Sequence, residues 1–174
     1  MIWLEEVLTR KKLSKIFYRY ERTFPEEERR SKEQFLALAD NPDAFVYNIH
    51  QEDTLIGYAV IWELSNFFFL EHFEIFEDFR NQKLGQRTVE VMKEKFEKII
   101  LETEPDTLSE MAKTRLLFYE RNGFKILEKN YTQPSYGNKK PPINLLLLTN
   151  FSSENIEHTT KEIYRTVYEV NTEQ

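Results

Sequence analysis

Three apolar runs follow one another with only short polar breaks: Ala44 to His50, Thr54 to Leu64 and Phe67 to Phe76, parted by Gln51-Glu52-Asp53 and Ser65-Asn66. They are rich in Val, Ile, Phe, Tyr and Trp, whose branched or flat side chains pack well on a pleated surface. Breaks this short leave no room for a crossover helix, so the runs predict an antiparallel meander. The third run leads through Glu77-Asp78-Phe79-Arg80-Asn81-Gln82-Lys83-Leu84-Gly85 into Val89, Met92, Phe96 and Ile99 at helical spacing. A strand, a polar turn and a helix are therefore consecutive. Ile99 to Thr103 is a further apolar run, and a crossover onto a neighbouring parallel strand is the economical connection.

Before the meander, Leu13, Ile16, Phe17 and Tyr20 share one helical face that ends near Thr23-Phe24-Pro25. Ser31-Lys32-Glu33-Gln34 has the form of a capping box ahead of Phe35, Leu36 and Leu38. After the crossover, Leu108, Ala112, Leu116 and Tyr119 predict another helix, stopped by Asn122-Gly123 before a strand at Phe124 to Leu127. Tyr131 to Pro142 has three prolines and no periodicity, which predicts a long loop, and Ile143 to Thr149 reads as the last strand. Ile156, Thr160, Ile163, Val167 and Val170 then alternate spacings of 4 and 3, the pattern of an amphipathic helix docking on its own domain or on a partner chain, a homodimer included.

With 174 residues, 40% of them hydrophobic, the chain suits one core. No window nears the roughly 18 apolar residues of a membrane span, and Met1 to Glu6 is acidic where a signal peptide needs basic residues, so a soluble cytoplasmic protein is expected. The absence of cysteine excludes disulfides, thiolate nucleophiles and thiolate metal sites. A net charge of -6 argues against a nucleic-acid partner and favours a cationic one. His50, His72 and His158 lack ligand spacing, so no metal is expected.

The turn before Gly85 is the first site candidate. A helix N-terminus offers unpaired N–H groups and about half a positive charge, and glycine lets a pyrophosphate approach. Arg80, Lys83 and Arg87 add charge. An ordinary solvated turn has the same composition. The context is more specific. Arg80-Asn81-Gln82-Lys83-Leu84-Gly85 and, further on, Tyr119-Glu120-Arg121-Asn122-Gly123-Phe124 make the stretch from Phe67 to Phe124 resemble the GNAT superfamily of acyl-CoA N-acyltransferases. Lys83 stands where that family's first glycine is usual, and Ala112 and Arg115 replace its asparagine and alanine. Glu71-His72, Leu101-Glu102-Thr103-Glu104 and Gln133-Pro134-Ser135-Tyr136-Gly137 give a narrower similarity to bacterial members of unassigned substrate.

The resemblance implies a mixed α/β fold. Its sheet is mostly antiparallel with one parallel pair splayed to hold acyl-CoA, helices cover both faces, and an extra C-terminal helix follows. The acyltransferase domain would be residues 1–150 and the helical extension 151–174. Acetyl-CoA would be held by Phe73, Ile75, Arg80, Lys83, Gly85, Gln86 and Arg87, and Tyr119 would give a proton to the departing thiolate. His72, Glu102, Glu104 and Tyr136 would line the pocket for a small-molecule or peptide amine.

An amine acceptor must lose a proton before it attacks, which calls for a carboxylate or imidazole in reach. Glu71, His72, Glu102 and Glu104 are the candidates, with Glu71 favoured. Period-two alternation sets Glu71, Phe73 and Ile75 on one face and His72 and Glu74 on the other, unless a bulge intervenes. Each is equally what a hydrogen-bonded strand-end residue looks like. Phe67-Phe68-Phe69 reads as core on both faces and Glu26-Glu27-Glu28-Arg29-Arg30 as a solvated run. A non-catalytic acyl-CoA sensor and a protein-interaction module are the alternatives.

Overall fold

The computed structural model describes residues 1–137, 139–153 and 155–171; residue 138 of the expected loop and residues 154 and 172–174 of the expected extension fall outside these. The meander forms as β2 (Ala44–Gln51), β3 (Thr54–Glu63) and β4 (Phe68–Ile75), each antiparallel to the next. Sequence reasoning assigned nothing to the first residues, yet Ile2–Glu6 is an edge strand, β1, antiparallel to β2. Five residues are too few for a period to be counted, and the partner of β1 lies some forty residues away.

Among the described residues five α-helices flank the sheet: α1 (Arg10–Thr23), α2 (Lys32–Ala37), α3 (Leu84–Phe96), α4 (Glu110–Arg121) and α5 (Ile156–Val167). The capping box at Ser31 and Gln34 is present in both directions. Leu108 lies outside α4, 62% exposed, because Ser109 caps that helix by accepting from Ala112 N. Val170 likewise falls beyond α5. Gly123, at φ 89, follows the end of α4 in a conformation that suits glycine.

The remaining strands are β5 (Ile99–Thr103), β6 (Lys125–Gln133) and β7 (Ile143–Thr149). The seven-stranded order is β1-β2-β3-β4-β5-β7-β6, and β4 with β5 is the parallel pair. β6 runs further than its apolar pattern indicated: Tyr131 to Gln133 are strand rather than loop. An irregularity between Glu128 and Tyr131 breaks the alternation that would have shown it.

The sheet is buried on both faces, so β3 is apolar almost throughout. Tyr58, Val60 and Trp62 join Leu13, Tyr20, Phe35 and Ile163 in one core, under α1, α2 and α5. Ala59 and Ile61 join Val89, Met92 and Leu116 in the other, under α3 and α4. Phe67 and Phe69 belong to the first core while Phe68 packs against Phe96 of the second. The apolar face of α5 is spent on its own domain, with Ile163 and Val167 fully buried.

Candidate active site

β4 and β5 pair only through Phe68–Ile99, Phe69–Ile100 and Leu70–Leu101, after which β4 runs on to Ile75 and β5 to Thr103 without each other. The parting begins at a bulge. Val60 pairs with His72 and Ile61 with Leu70, which leaves Glu71 as an extra residue. The bulge resets the alternation, so Glu71 and His72 face the same core, their Oε1 and Nε2 atoms 3.6 Å apart. A cleft of about 1730 Å3 opens there, walled by β4, the end of β5, the start of α3, α4 and the last turns of α1.

At one end stands the N-terminus of α3. No side chain caps it, and its first intrahelical bond runs from Arg87 N to Lys83 O, leaving the N–H groups of Leu84, Gly85 and Gln86 without helical acceptors. Lys83 holds the left-handed conformation at φ 59, ψ 11, so the backbone follows a glycine-like path despite the side chain. A Cβ on Gly85 would make ordinary contact with the Phe118 side chain at 3.4 Å and with Ile75 at 3.8 Å, so the site takes one methyl group but leaves little room for a branched side chain between α3, α4 and β4. Arg80 donates to Ile75 O at 3.0 Å. Phe73, Ile75, Arg80, Lys83, Gly85 and Gln86 all line the cleft. Arg87 does not line it, and its charge bears on Glu52 instead. Uncapped N–H groups beside Arg80 and Lys83 fit a pyrophosphate.

At the other end the acidic residues are far from solvated. Glu71 is fully enclosed: Arg30 Nε donates to it at 2.9 Å, Trp62 Nε1 at 2.7 Å and the Tyr136 hydroxyl at 2.6 Å. Burial pushes its pKa up, but the Arg30 guanidinium, His72 and these donors outweigh burial and hold it below the usual range. Arg30 thus departs from the solvated run expected of Glu26 to Arg30; nothing in its neighbours' spacing singles it out. His72 accepts from or donates to the Tyr20 hydroxyl at 3.0 Å, and burial lowers its pKa to about 4, keeping the ring neutral.

Glu102 is different. It is partly buried in the cleft wall and held by the hydroxyls of Tyr131 and Tyr168, the latter 2.8 and 2.7 Å from its two oxygens. Burial, with Glu71 and Glu28 nearby, raises it to about 8 against the lowering effect of the two phenols. Glu104 is paired with Arg115 at 2.8 Å. Glu28, also read as solvated, lies in the cleft wall, where burial and the charge of Glu104 raise its pKa. Gln133 Nε2 and Thr103 Oγ1 are buried in that wall without partners among the described residues. Tyr119 is buried on α4, and burial pushes its pKa up to about 12. Among the described residues no hydrogen bond occupies its hydroxyl, and its ring lines the cleft.

Sequence reasoning missed Tyr131 and Tyr168. The second carried a signal: Tyr164 and Tyr168, four apart, flank the apolar stripe of α5.

A parallel pair that parts at a bulge beside an uncapped helix start is matched by family comparison. The profile of the Acetyltransferase (GNAT) family fits residues 10–124, more than half of the chain. The chain belongs to the GNAT acetyltransferase family. It is 31% identical over 103 residues to YjbC of Bacillus subtilis strain 168, a candidate acetyltransferase, in a match covering 59% of this chain and 52% of that one, about half its length. A candidate acetyltransferase of the GNAT family from Bacteroides thetaiotaomicron superposes with a TM-score of 0.88 at 28% identity, over 97% of this chain and 99% of that one. The fold alone is shared with Arabidopsis thaliana NAA60, solved with acetyl-CoA: TM-score 0.63, 11% identity, 86% of this GNAT chain and 97% of that one. Among the described residues no helix is long and apolar enough to cross a membrane, and no group of three or more potential ligands could hold a metal ion.

Proposed function

We propose that this GNAT protein is an acetyl-CoA-dependent N-acetyltransferase acting in the cytoplasm on a primary amine of a cationic small molecule or peptide. The observation that carries the reading is the parting of β4 and β5 directly beside the uncapped start of α3, in one continuous cleft. The cosubstrate supplies an activated acetyl thioester. The N–H groups at Leu84 to Gln86, with Arg80 and Lys83, hold its pyrophosphate, and the unpaired edge of β4 at Phe73 and Ile75 holds its arm. Arg87 has no part in this, given its place outside the cleft.

The base is assigned to Glu102 rather than Glu71. A carboxylate already accepting from a guanidinium, an indole and a phenol, with its side chain wholly enclosed, has no room for an amine's proton. Glu102 faces the cleft, and its ionised form, a minority at neutral pH that grows as pH rises toward about 8, is basic enough to take a proton from an ammonium. Tyr119 Oη, still protonated at neutral pH, holds the proton that the leaving sulfur takes. The nitrogen gives its second proton to solvent as the amide forms, and solvent then restores Tyr119 and discharges Glu102, a net release of one proton. Glu28 and Glu104 draw the cationic acceptor in, and His72 and Tyr136 brace the wall behind them. Catalysis comes chiefly from holding amine and thioester together.

The test is thiol release from acetyl-CoA against a panel of small amines and short peptides, with products weighed by mass spectrometry. Acetylated cationic amines, with KM rising as salt is added, support the reading. Tight binding of acetyl-CoA with no turnover on any member would make the protein a sensor instead.

A further inference from the structure

We propose that Tyr168, just past the end of α5, is a positioning residue for the Glu102 carboxylate, so that the last helix of the chain completes the acceptor side of the site. The inference rests on the reading of Glu102 as the base. Its foundation is geometric: the Tyr168 hydroxyl spans both carboxylate oxygens, at 2.8 and 2.7 Å, while Tyr131 donates to Oε1 alone. Tyr168 across both oxygens sets the direction of the carboxylate, and with Tyr131 on Oε1 the two phenols together fix its plane and the direction in which a free lone pair points.

The donor is itself held. Arg30 Nη2 donates to Val167 O at 2.9 Å, the residue before Tyr168, and Ile163 and Val167 are anchored in the core. The Tyr168 ring lies 5.3 Å from that of Tyr136, whose hydroxyl donates to Glu71. Arg30 thus ties Glu71 to the helix end that carries Tyr168, and the two carboxylates are oriented through one connected set of contacts. Tyr131, Tyr136 and Tyr168 all follow residue 124, where the match to the family profile stops. The phenols that hold the two carboxylates therefore lie in the part of the chain that the family profile does not cover, while Arg30, Glu71 and Glu102 lie inside it.

The groups facing Glu102 are Tyr131 of β6, Tyr164 and Tyr168 from α5 and its end, Tyr136 of the β6–β7 loop, Glu71 of β4, and Glu28 between α1 and α2. The two carboxylates and burial favour the protonated form; the hydrogen bonds from Tyr131 and Tyr168 favour the charged one. Loss of the Tyr168 hydroxyl removes one of the two opposing donors, and the proton affinity of Glu102 rises.

The experiment is a pH titration of the full chain labelled with carbon-13 at the glutamate side-chain carboxyls, with the Glu102 resonance assigned by its loss in Glu102→Gln. In Tyr168→Phe the midpoint of that resonance is expected to move up by about half a unit or more, with the melting temperature close to wild type. A midpoint unchanged between wild type and Tyr168→Phe overturns the proposal. So does a Tyr168→Phe protein that fails to fold, which would assign the hydroxyl to stability. The base reading fails separately: if Glu102→Gln acetylates the amine panel at the wild-type rate, Glu102 is no base, whatever its titration shows.

Discussion

Arg30 Nε lies 2.9 Å from Glu71 Oε1, joining two side chains that are 9% and 0% exposed and stand 41 positions apart in the chain. Removing one partner from a pair this enclosed leaves the other charge buried alone, which costs about 3–5 kcal/mol. Arg30→Met and Glu71→Leu are each expected to lower stability by that order in urea unfolding. The double variant should recover much of the loss, since neither charge then remains. Additive losses would show that the two residues act independently.

The same core makes the fold sensitive to acid, in a window set by two groups. His72 is lowered from 6.5 to about 4, so between those values the unfolded chain binds the extra proton and stability falls as pH falls. Glu71 is held below its ordinary 4.5, and its contribution is lost as pH drops below that value. Glu102 has the opposite sign: raised from 4.5 to about 8, it favours the folded state least above pH 8. Between pH 4.5 and 6.5 the opposite slopes of His72 and Glu102 offset each other, so the wild-type melting temperature should decline only below about pH 4.5, whereas Glu102→Gln, which lacks the offset, should decline from pH 6.5 downward and gain stability over wild type mainly at alkaline pH. A flat melting profile of Glu102→Gln from pH 4.5 to 6.5 would contradict the burial of a neutral His72.

Lys83 holds φ 59 at the start of α3, a conformation that costs a residue with a Cβ about 1 kcal/mol or more. Lys83→Gly should raise stability by about that amount while weakening acetyl-CoA, because the charge is lost from the pyrophosphate end. Thermal melts and calorimetric titration of the one variant read both effects. Tighter cofactor binding in Lys83→Gly would remove the lysine from the anion site.

Tyr119→Phe keeps the ring that packs between Phe118 and Phe124 and removes only a hydroxyl with no partner among the described residues. Stability should change by less than about 1 kcal/mol. The kcat should fall by roughly 10²-fold, the lower end for a lost acid, because a thiolate leaves readily. Acetyl-CoA affinity should stay within a few-fold. Wild-type turnover would make the tyrosine a packing residue.

Much of this molecule was legible from its sequence where the signal was local. The meander declared itself through short breaks such as Ser65-Asn66, and the capping box at Ser31 was read from four residues. What escaped were relationships across the chain. The face of Glu71 depends on a bulge set by pairing with β3, which no count along β4 can reveal. Arg30 looks solvated until α5 and Trp62 enclose it. Tyr131 was hidden by an irregular strand, and Tyr168 donates to a carboxylate 66 positions earlier. The choice between Glu71 and Glu102 as base turns on these partners, because hydrogen bonding and enclosure rather than residue type decide which carboxylate can accept a proton.

Acetyl-CoA titrated into the purified protein by calorimetry, beside thermal melts, tests the central claim most directly. A ligand that binds only the folded state adds about 2.7 kcal/mol of stability at a hundredfold excess over its Kd. The account predicts saturable one-site heat, a raised melting temperature, and strong loss of both in Gly85→Val, whose branched side chain crowds the narrow approach between α3, Phe118 and Ile75. Silent calorimetry and an unchanged melt at millimolar acetyl-CoA would contradict it.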